Sequence, residues 1–507
     1  MQRLMLALAG AVLIAGVAHA KGKVDENNET VYLARDFVFV DSPAIEGYLR
    51  SVCKRLLDGK GVKIDAPKIL VQSSDAFNVF ADANGNLLIS TGALRALESE
   101  DELAALLGHE LSHLILKHPQ DKDAVRALPL GLDTMSSMRD AAAELQGRKA
   151  DLAHADPRDA QATSVLWSDF IAPSWNRRQE QDADENGFEL MRAAGYDPSA
   201  FGQLFSKLQD AEKKRSERMQ VLKKALVVRL HAATPGTKIQ AVSFAGDSKN
   251  TLVDAASEKL IDGLGAFNRS YESSDERQGH LSAYAREHRE KTRTAHPATS
   301  FKDMLQAGEG GTMLTLDSAA LSTLDALARK NAIAAKTAVQ PLGGGDAKQP
   351  SAHLNLAFGS YQQAYGTPEL GAAAAQAWTE SSRPPAQAFL WSASFKVKAR
   401  DYPAALDTLE AGRKRVGDAT PFLPTLIATA RASGNMPLAR EYTRECRSES
   451  SSVGEKLQWA ASQQPSSTNS LYAECVRQLG EKPTEDVVTE NVAGKARESV
   501  FNLLRRK

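Results

Sequence analysis

Ser99-Glu100-Asp101-Glu102-Leu103-Ala104-Ala105-Leu106-Leu107-Gly108-His109-Glu110-Leu111-Ser112-His113-Leu114-Ile115 is the stretch on which the reading of this chain turns. Ser99 with Glu102 three residues on has the pattern of a capping box, which opens a helix. Pro119 closes it. On a helix, residues four apart lie on one face, so His109 and His113 can aim both imidazoles at one metal ion. Glu110 lies one position round and can take a proton from water as it attacks a carbonyl. Leu106, Leu107, Leu111, Leu114 and Ile115 make the surroundings apolar, as a buried catalytic helix requires. His118 is five residues past His113, about 140° round a continued helix and off the ligand face.

A catalytic zinc needs a third protein ligand. The segment Asn176-Arg177-Arg178-Gln179-Glu180-Gln181-Asp182-Ala183-Asp184 is the source of choice, on a helix expected over 176–194 and closed by Gly195. Glu180 and Asp184 are four apart and share a face. One carboxylate can bind metal while the other accepts a hydrogen bond from a ligand imidazole.

Outward from these helices, residues 44–57 have helical apolar spacing and Lys68 to Gln72 reads as a strand. Phe77 to Ala81 and Leu87 to Ser90 flank Asn84-Gly85, a strong hairpin signal. Residues 120–170 are polar and Ala-rich, 199–230 read as a long charged helix, and 231–310 show no clean periodicity. Gly343-Gly344-Gly345, framed by Pro341 and Pro350, is the linker candidate. Beyond it, Asp401-Tyr402-Pro403-Ala404-Ala405 recurs as Asn435-Met436-Pro437-Leu438-Ala439, an offset of 34 residues that is the tetratricopeptide period. Gly366-Thr367-Pro368 is an earlier, weaker copy.

The 507 residues exceed one ordinary core. A formal net charge of −1, with Lys and Arg dispersed, argues against a nucleic-acid binder. Residues 1–20 read as a secretory signal peptide, with Arg3, an apolar run from Leu4 to Val17, and Ala18-His19-Ala20 as cleavage pattern. No later stretch reaches membrane-spanning length, so the mature chain is expected to be soluble in a periplasm. In that oxidising compartment Cys446 and Cys475 can form a disulfide, whereas Cys53 reads as a small core residue.

Gly108-His109-Glu110-Leu111-Ser112-His113, Glu180-Gln181-Asp182-Ala183-Asp184, Asn78-Val79-Phe80-Ala81 and Gly195-Tyr196-Asp197-Pro198 together resemble the HtpX/BepA group of gluzincin peptidases. The leader and the repeats resemble its periplasmic BepA branch. The resemblance implies one Zn2+ per chain bound by His109, His113 and Glu180, with Glu110 as general base and Asp184 orienting a ligand. It also implies that the hairpin, through Asn78, Phe80, Leu88 and Ser90, offers an edge strand to an extended substrate. One position departs from the family. Relatives carry Thr-His-Pro-x-x-x-x-Arg past the second helix, and the register here is Ser270-Tyr271-Glu272 through Arg277. Tyr271 then replaces the His and can serve an oxyanion or regulatory role. His231 and His296 are rivals for that position.

The expected fold is mainly α. A zincin peptidase domain with a small antiparallel sheet (21–295) is followed by a connector (296–350), tetratricopeptide-like helical repeats (351–480) and a tail (481–507). The expected function is zinc-dependent endoproteolysis of misfolded or stalled envelope proteins, with the repeats engaging substrates or envelope partners. The rival, from the binding class, is a peptidase-like chaperone or scaffold.

Overall fold

A computed structural model of the protein describes residues 30–82, 84–118, 164–166, 168, 176–232, 273–288, 301–343, 349–460 and 471–481. The expected leader, Tyr271, His296, Gly344, Gly345 and all but the first residue of the expected 481–507 tail lie outside them, as does the side chain of His231.

The chain opens with a short helix α1 (Thr30–Leu33) and an extended run over 37–40, then α2 (Pro43–Lys60). Ser42 caps α2 by accepting from Ile45 N, Pro43 starts it, and Gly61 ends it at φ 69°. Strands β1 (Lys68–Gln72), β2 (Val79–Ala81) and β3 (Asn86–Ser90) follow, then α3 (Thr91–Ala96), α4 (Glu100–Ile115), α5 (Arg177–Ala194) and α6 (Phe201–Ala232). Ser99 caps α4 by accepting from Glu102 N at 3.1 Å. The reciprocal half of the expected box is absent, because Glu102 accepts from Glu98 N at 2.9 Å and Lys207 Nζ at 2.6 Å instead. A complete capping box starts α5 at Asn176 and Gln179.

The sheet corrects two expectations. It is mixed rather than antiparallel, with order β1-β3-β2, β3 parallel to β1 and antiparallel to β2. The hairpin forms as read, with Gly85 at φ 81° and Asp82 accepting from the Asn84 and Asn86 amides, but its second arm inserts in the middle. Leu88 and Ser90 therefore lie on the central strand, paired on both sides, and cannot offer an edge. Phe80 lies on the edge strand β2 and Asn78 just before it, and both turn their backbone inward toward β3. Asn78 O accepts from Ser90 N and Asp82 N donates to Asn86 O, so by alternation Val79 and Ala81 face outward. The far edge of β1 is covered by residues 38–40, through Val40 N to Val71 O and Ser73 N to Val38 O. Among the described strands, β2 is the edge with no further strand beside it, and on that side the Ala81 amide donates to Glu110 Oε2.

Helices α7 (Ser274–Glu287), α8 (Glu309–Ala328), α9 (Ala332–Val339), α10 (Leu354–Tyr365), α11 (Pro368–Thr379), α12 (Ala386–Lys398), α13 (Tyr402–Val416), α14 (Leu423–Ala432), α15 (Met436–Ala460) and α16 (Leu471–Leu479) follow among the described residues. α11, α13 and α15 begin at 368, 402 and 436, thirty-four residues apart. Asp401 and Asn435 cap the last two by accepting from Ala404 N and Leu438 N. The expected linker does not separate two cores. Ile69, Val71, Leu87 and Ile89 on one sheet face share a core with α2, α4 and α5, and also with Leu354, Phe358, Trp378 and Trp391 beyond the linker. The other face, Leu70, Phe80 and Leu88, packs with Tyr32, Phe37 and Phe39 against α12–α16. Asp317 on α8, fully buried, ties these parts together. It accepts from Ser73 Oγ at 2.5 Å and Arg95 Nη1 at 2.9 Å, and His353 Nε2 lies 3.3 Å away.

α4 and α5 meet at Gly108 and Gly187. A Cβ on Gly187 would stand 3.0 Å from His109 N and 3.1 Å from Gly108 C, closer than ordinary packing allows. Gly187→Val is expected to force the helices apart and to cost about 1–3 kcal/mol, read by urea unfolding. Cys446 and Cys475, 29 residues apart, are disulfide-bonded, and Cys53 is buried and free. Cys446→Ser is expected to lower stability by about 3 kcal/mol, and reductant should no longer shift its Tm.

Candidate metal centre

His109, Glu110 and His113 on α4 and Glu180 and Asp184 on α5 are all buried. His109 Nε2 and His113 Nε2 are 3.1 Å apart, and Glu180 Oε2 is 3.5 Å from His109 Nε2. Donor atoms of His109, His113 and Glu180 all fall within 4.8 Å of one another. Two imidazole nitrogens each bound at ~2.0–2.1 Å to one tetrahedral ion stand about 3.3 Å apart, so the spacing fits zinc.

Hydrogen bonding points the same way. His109 Nδ1 is 2.8 Å from Asp184 Oδ1. A carboxylate only accepts, so Nδ1 carries the proton and Nε2 presents its lone pair to the centre. Glu180 Oε2 is buried and accepts no hydrogen bond, although Arg277 Nη1 lies 3.0 Å away outside hydrogen-bond geometry. A buried carboxylate oxygen without a hydrogen bond is costly unless a cation claims it. Burial, reinforced by His109 and His118, holds the His113 imidazole well below its ordinary pKa, in the neutral form that ligates metal. Burial raises the Glu110 carboxyl, opposed by His109 and by the Ala81 amide, which donates to Glu110 Oε2 at 2.8 Å.

Two residues stand at the site that the spacing arguments did not assign. Arg277 arrives on α7, whose capping box pairs Ser273 with Glu276. It forks onto Asp184, with Nε to Oδ2 at 2.9 Å and Nη2 to Oδ1 at 2.7 Å, and its guanidinium lies 5.3 Å over the centre of the Phe205 ring. Burial alone would raise the Asp184 carboxyl, but the Arg277 charge and fork outweigh it and hold it at about 2. The signal for Arg277 was its place at the end of the family's Thr-His-Pro-x-x-x-x-Arg segment. The second residue is His118, whose Nδ1 is 2.8 Å from His113 Nδ1.

Two histidines a turn apart and a glutamate from a second helix form a donor set that could hold a metal ion, the set implied by the resemblance to gluzincin peptidases. A family model described as Peptidase family M48 matches residues 43–235, the part of the chain that carries the site. The chain is 26% identical over 187 residues to the Escherichia coli beta-barrel assembly-enhancing protease, a match covering 36% of each protein. It is 28% identical over 142 residues to the Escherichia coli metalloprotease LoiP, covering 28% of this chain and 51% of LoiP. It is 26% identical over 165 residues to the mitochondrial metalloendopeptidase OMA1 of Schizosaccharomyces pombe, covering 32% and 44%. The chain thus spans between a third and a half of the length of these relatives. The resemblance to BepA-like gluzincins holds for the peptidase portion. Among the described residues no helix is long and apolar enough to cross a membrane.

Replacing Arg277 leaves two buried carboxylates without their cation. Arg277→Met is expected to cost the metal-free protein about 3–5 kcal/mol in urea unfolding at pH 7, and Arg277→Lys, which lacks the fork, to restore only part.

Proposed function

We propose that the protein is a zinc-dependent endopeptidase that acts on misfolded or stalled envelope proteins in the periplasm. The observation that carries this reading is the convergence of His109, His113 and Glu180 beside the Glu110 carboxylate and the edge strand β2. In this reading those three residues hold one zinc per chain. When bound, zinc supplies Lewis acidity and brings the pKa of water toward ~7.

The chain's own residues do the rest. An extended substrate pairs with the outward backbone of β2 at Val79, a mode that reads main chain rather than sequence and so suits unfolded protein. The Ala81 amide, on that same strand, fixes the Glu110 carboxylate at 2.8 Å. The base and the peptide to be cut are thereby referenced to one strand. Glu110 takes the proton of the attacking water and returns it to the leaving amine. Asp184, locked by Arg277, holds the His109 ring so that Nε2 keeps facing the centre.

The substrate class is inferred from the relatives named for β-barrel assembly and from the leader and helical repeats read in the sequence. In this proposal α10–α16, read as tetratricopeptide-like repeats, engage envelope proteins. The chaperone reading draws on the same helices and predicts binding without cleavage.

Purified protein supplied with zinc should cleave an unfolded protein such as casein. A chelator should abolish the cleavage and added zinc restore it. Glu110→Gln should bind zinc but cleave at least ~100-fold more slowly. Equal cleavage by wild type and Glu110→Gln, both zinc-loaded, would sink the enzyme reading. Capture of unfolded envelope proteins without cleavage by either would favour the chaperone.

A further inference from the structure

We propose that His118 is the positioning partner of His113, doing for that imidazole what Asp184 does for His109; this rests on the zinc centre proposed above. A histidine that binds metal through Nε2 needs an acceptor for its Nδ1–H, or its ring is free to rotate and its proton is unsatisfied on burial. His109 has such an acceptor in Asp184 Oδ1 at 2.8 Å. At His113 the group at that distance is His118 Nδ1, also at 2.8 Å. Two imidazole nitrogens at this separation form a hydrogen bond only when one carries the proton and the other offers its lone pair. With His113 Nε2 turned to the centre, 3.1 Å from His109 Nε2, the proton sits on His113 Nδ1 and His118 accepts in its Nε2–H tautomer.

The backbone is built to bring His118 back. α4 stops at Ile115, and Lys117 takes a left-handed conformation at φ 50°, uncommon for a residue with a side chain. His118 N then donates to His113 O at 3.1 Å, the six-to-one bond of a helix C-terminal cap. This reversal cancels the rotation that a continued helix would give. The two rings meet edge to face with centroids 4.9 Å apart. His118 does not join the donor cluster of His109, His113 and Glu180, so its part is to hold a ligand. The two ligand histidines are thus braced differently, one by a carboxylate locked to Arg277 and the other by a neutral ring at the helix end.

The test is zinc affinity, measured on the full chain by competition with a chromophoric chelator, with the visible spectrum of the Co2+-substituted protein as a second readout. Variants are His118→Ala and His118→Asn, whose side-chain oxygen can take the place of Nδ1 as acceptor. His118→Ala is expected to bind zinc about 10–100-fold more weakly and to alter the cobalt spectrum, with His118→Asn recovering most of both. Urea unfolding of each metal-free variant separates loss of positioning from loss of fold. Wild-type affinity in His118→Ala, or no recovery in His118→Asn while both remain folded, would overturn the role. Failure of the wild type itself to bind zinc would remove the proposed centre along with it.

Discussion

The contact that the site depends on is the approach of α4 to α5 at Gly108 and Gly187. Neither residue can carry a side chain without crowding the other helix's backbone. The approach lies at the site itself, since Gly108 precedes His109 and Gly187 is three residues past Asp184. It brings Glu180 Oε2 to 3.5 Å and Asp184 Oδ1 to 2.8 Å of the His109 ring. Ordinary helix packing with side chains between the axes holds helices 8–10 Å apart. Short side chains such as Asp could not then close on an imidazole across the gap. A glycine pair at the crossing is therefore part of the site's chemistry as well as its packing.

Close approach creates an electrostatic burden. Glu110, Glu180 and Asp184 are buried within one region, and burial pushes the first two upward in pKa. Arg277 answers Asp184 with a fork and reaches Glu180 only with poor geometry. One guanidinium faces three carboxylates here, which leaves the centre short of positive charge. A divalent cation among His109, His113 and Glu180 would balance it. That balance is a reason, independent of motif, to read the cluster as a metal centre.

How much of this the sequence disclosed follows from the range of the interactions involved. His109 with His113, and Glu180 with Asp184, are i,i+4 pairs, and helix periodicity places them without knowledge of the fold. The ends of α5 were legible for the same reason, through Asn176 and Gly195. Arg277 reaches Asp184 across 93 positions of chain, and no local pattern encodes that encounter. His118 was placed off the ligand face by arithmetic that is right for a continued helix. The left-handed turn at Lys117 is a decision of one residue's backbone that periodicity does not see. Strand order failed likewise. Alternation located both hairpin arms, but whether β2 or β3 neighbours β1 is settled by packing on both faces, not by the turn.

That two-faced packing changes how the C-terminal helices are understood. Tetratricopeptide-like repeats after a Gly/Pro-rich stretch read as an appended binding module. Here Phe80 of β2 is buried among residues that include Phe389 and Phe422 from the helices and Tyr32 and Phe37 from the N-terminal segment. Asp317 meanwhile fastens Ser73, at the end of β1, to α8. The loop from Ser73 to Asn78 runs from that fastening into β2, and β2 carries the Ala81 amide that holds Glu110. The strand that hydrogen-bonds Glu110 thus has its Phe80 side chain in one core with the helices. The helical region therefore shares a core with the strand that touches Glu110 rather than standing apart from it.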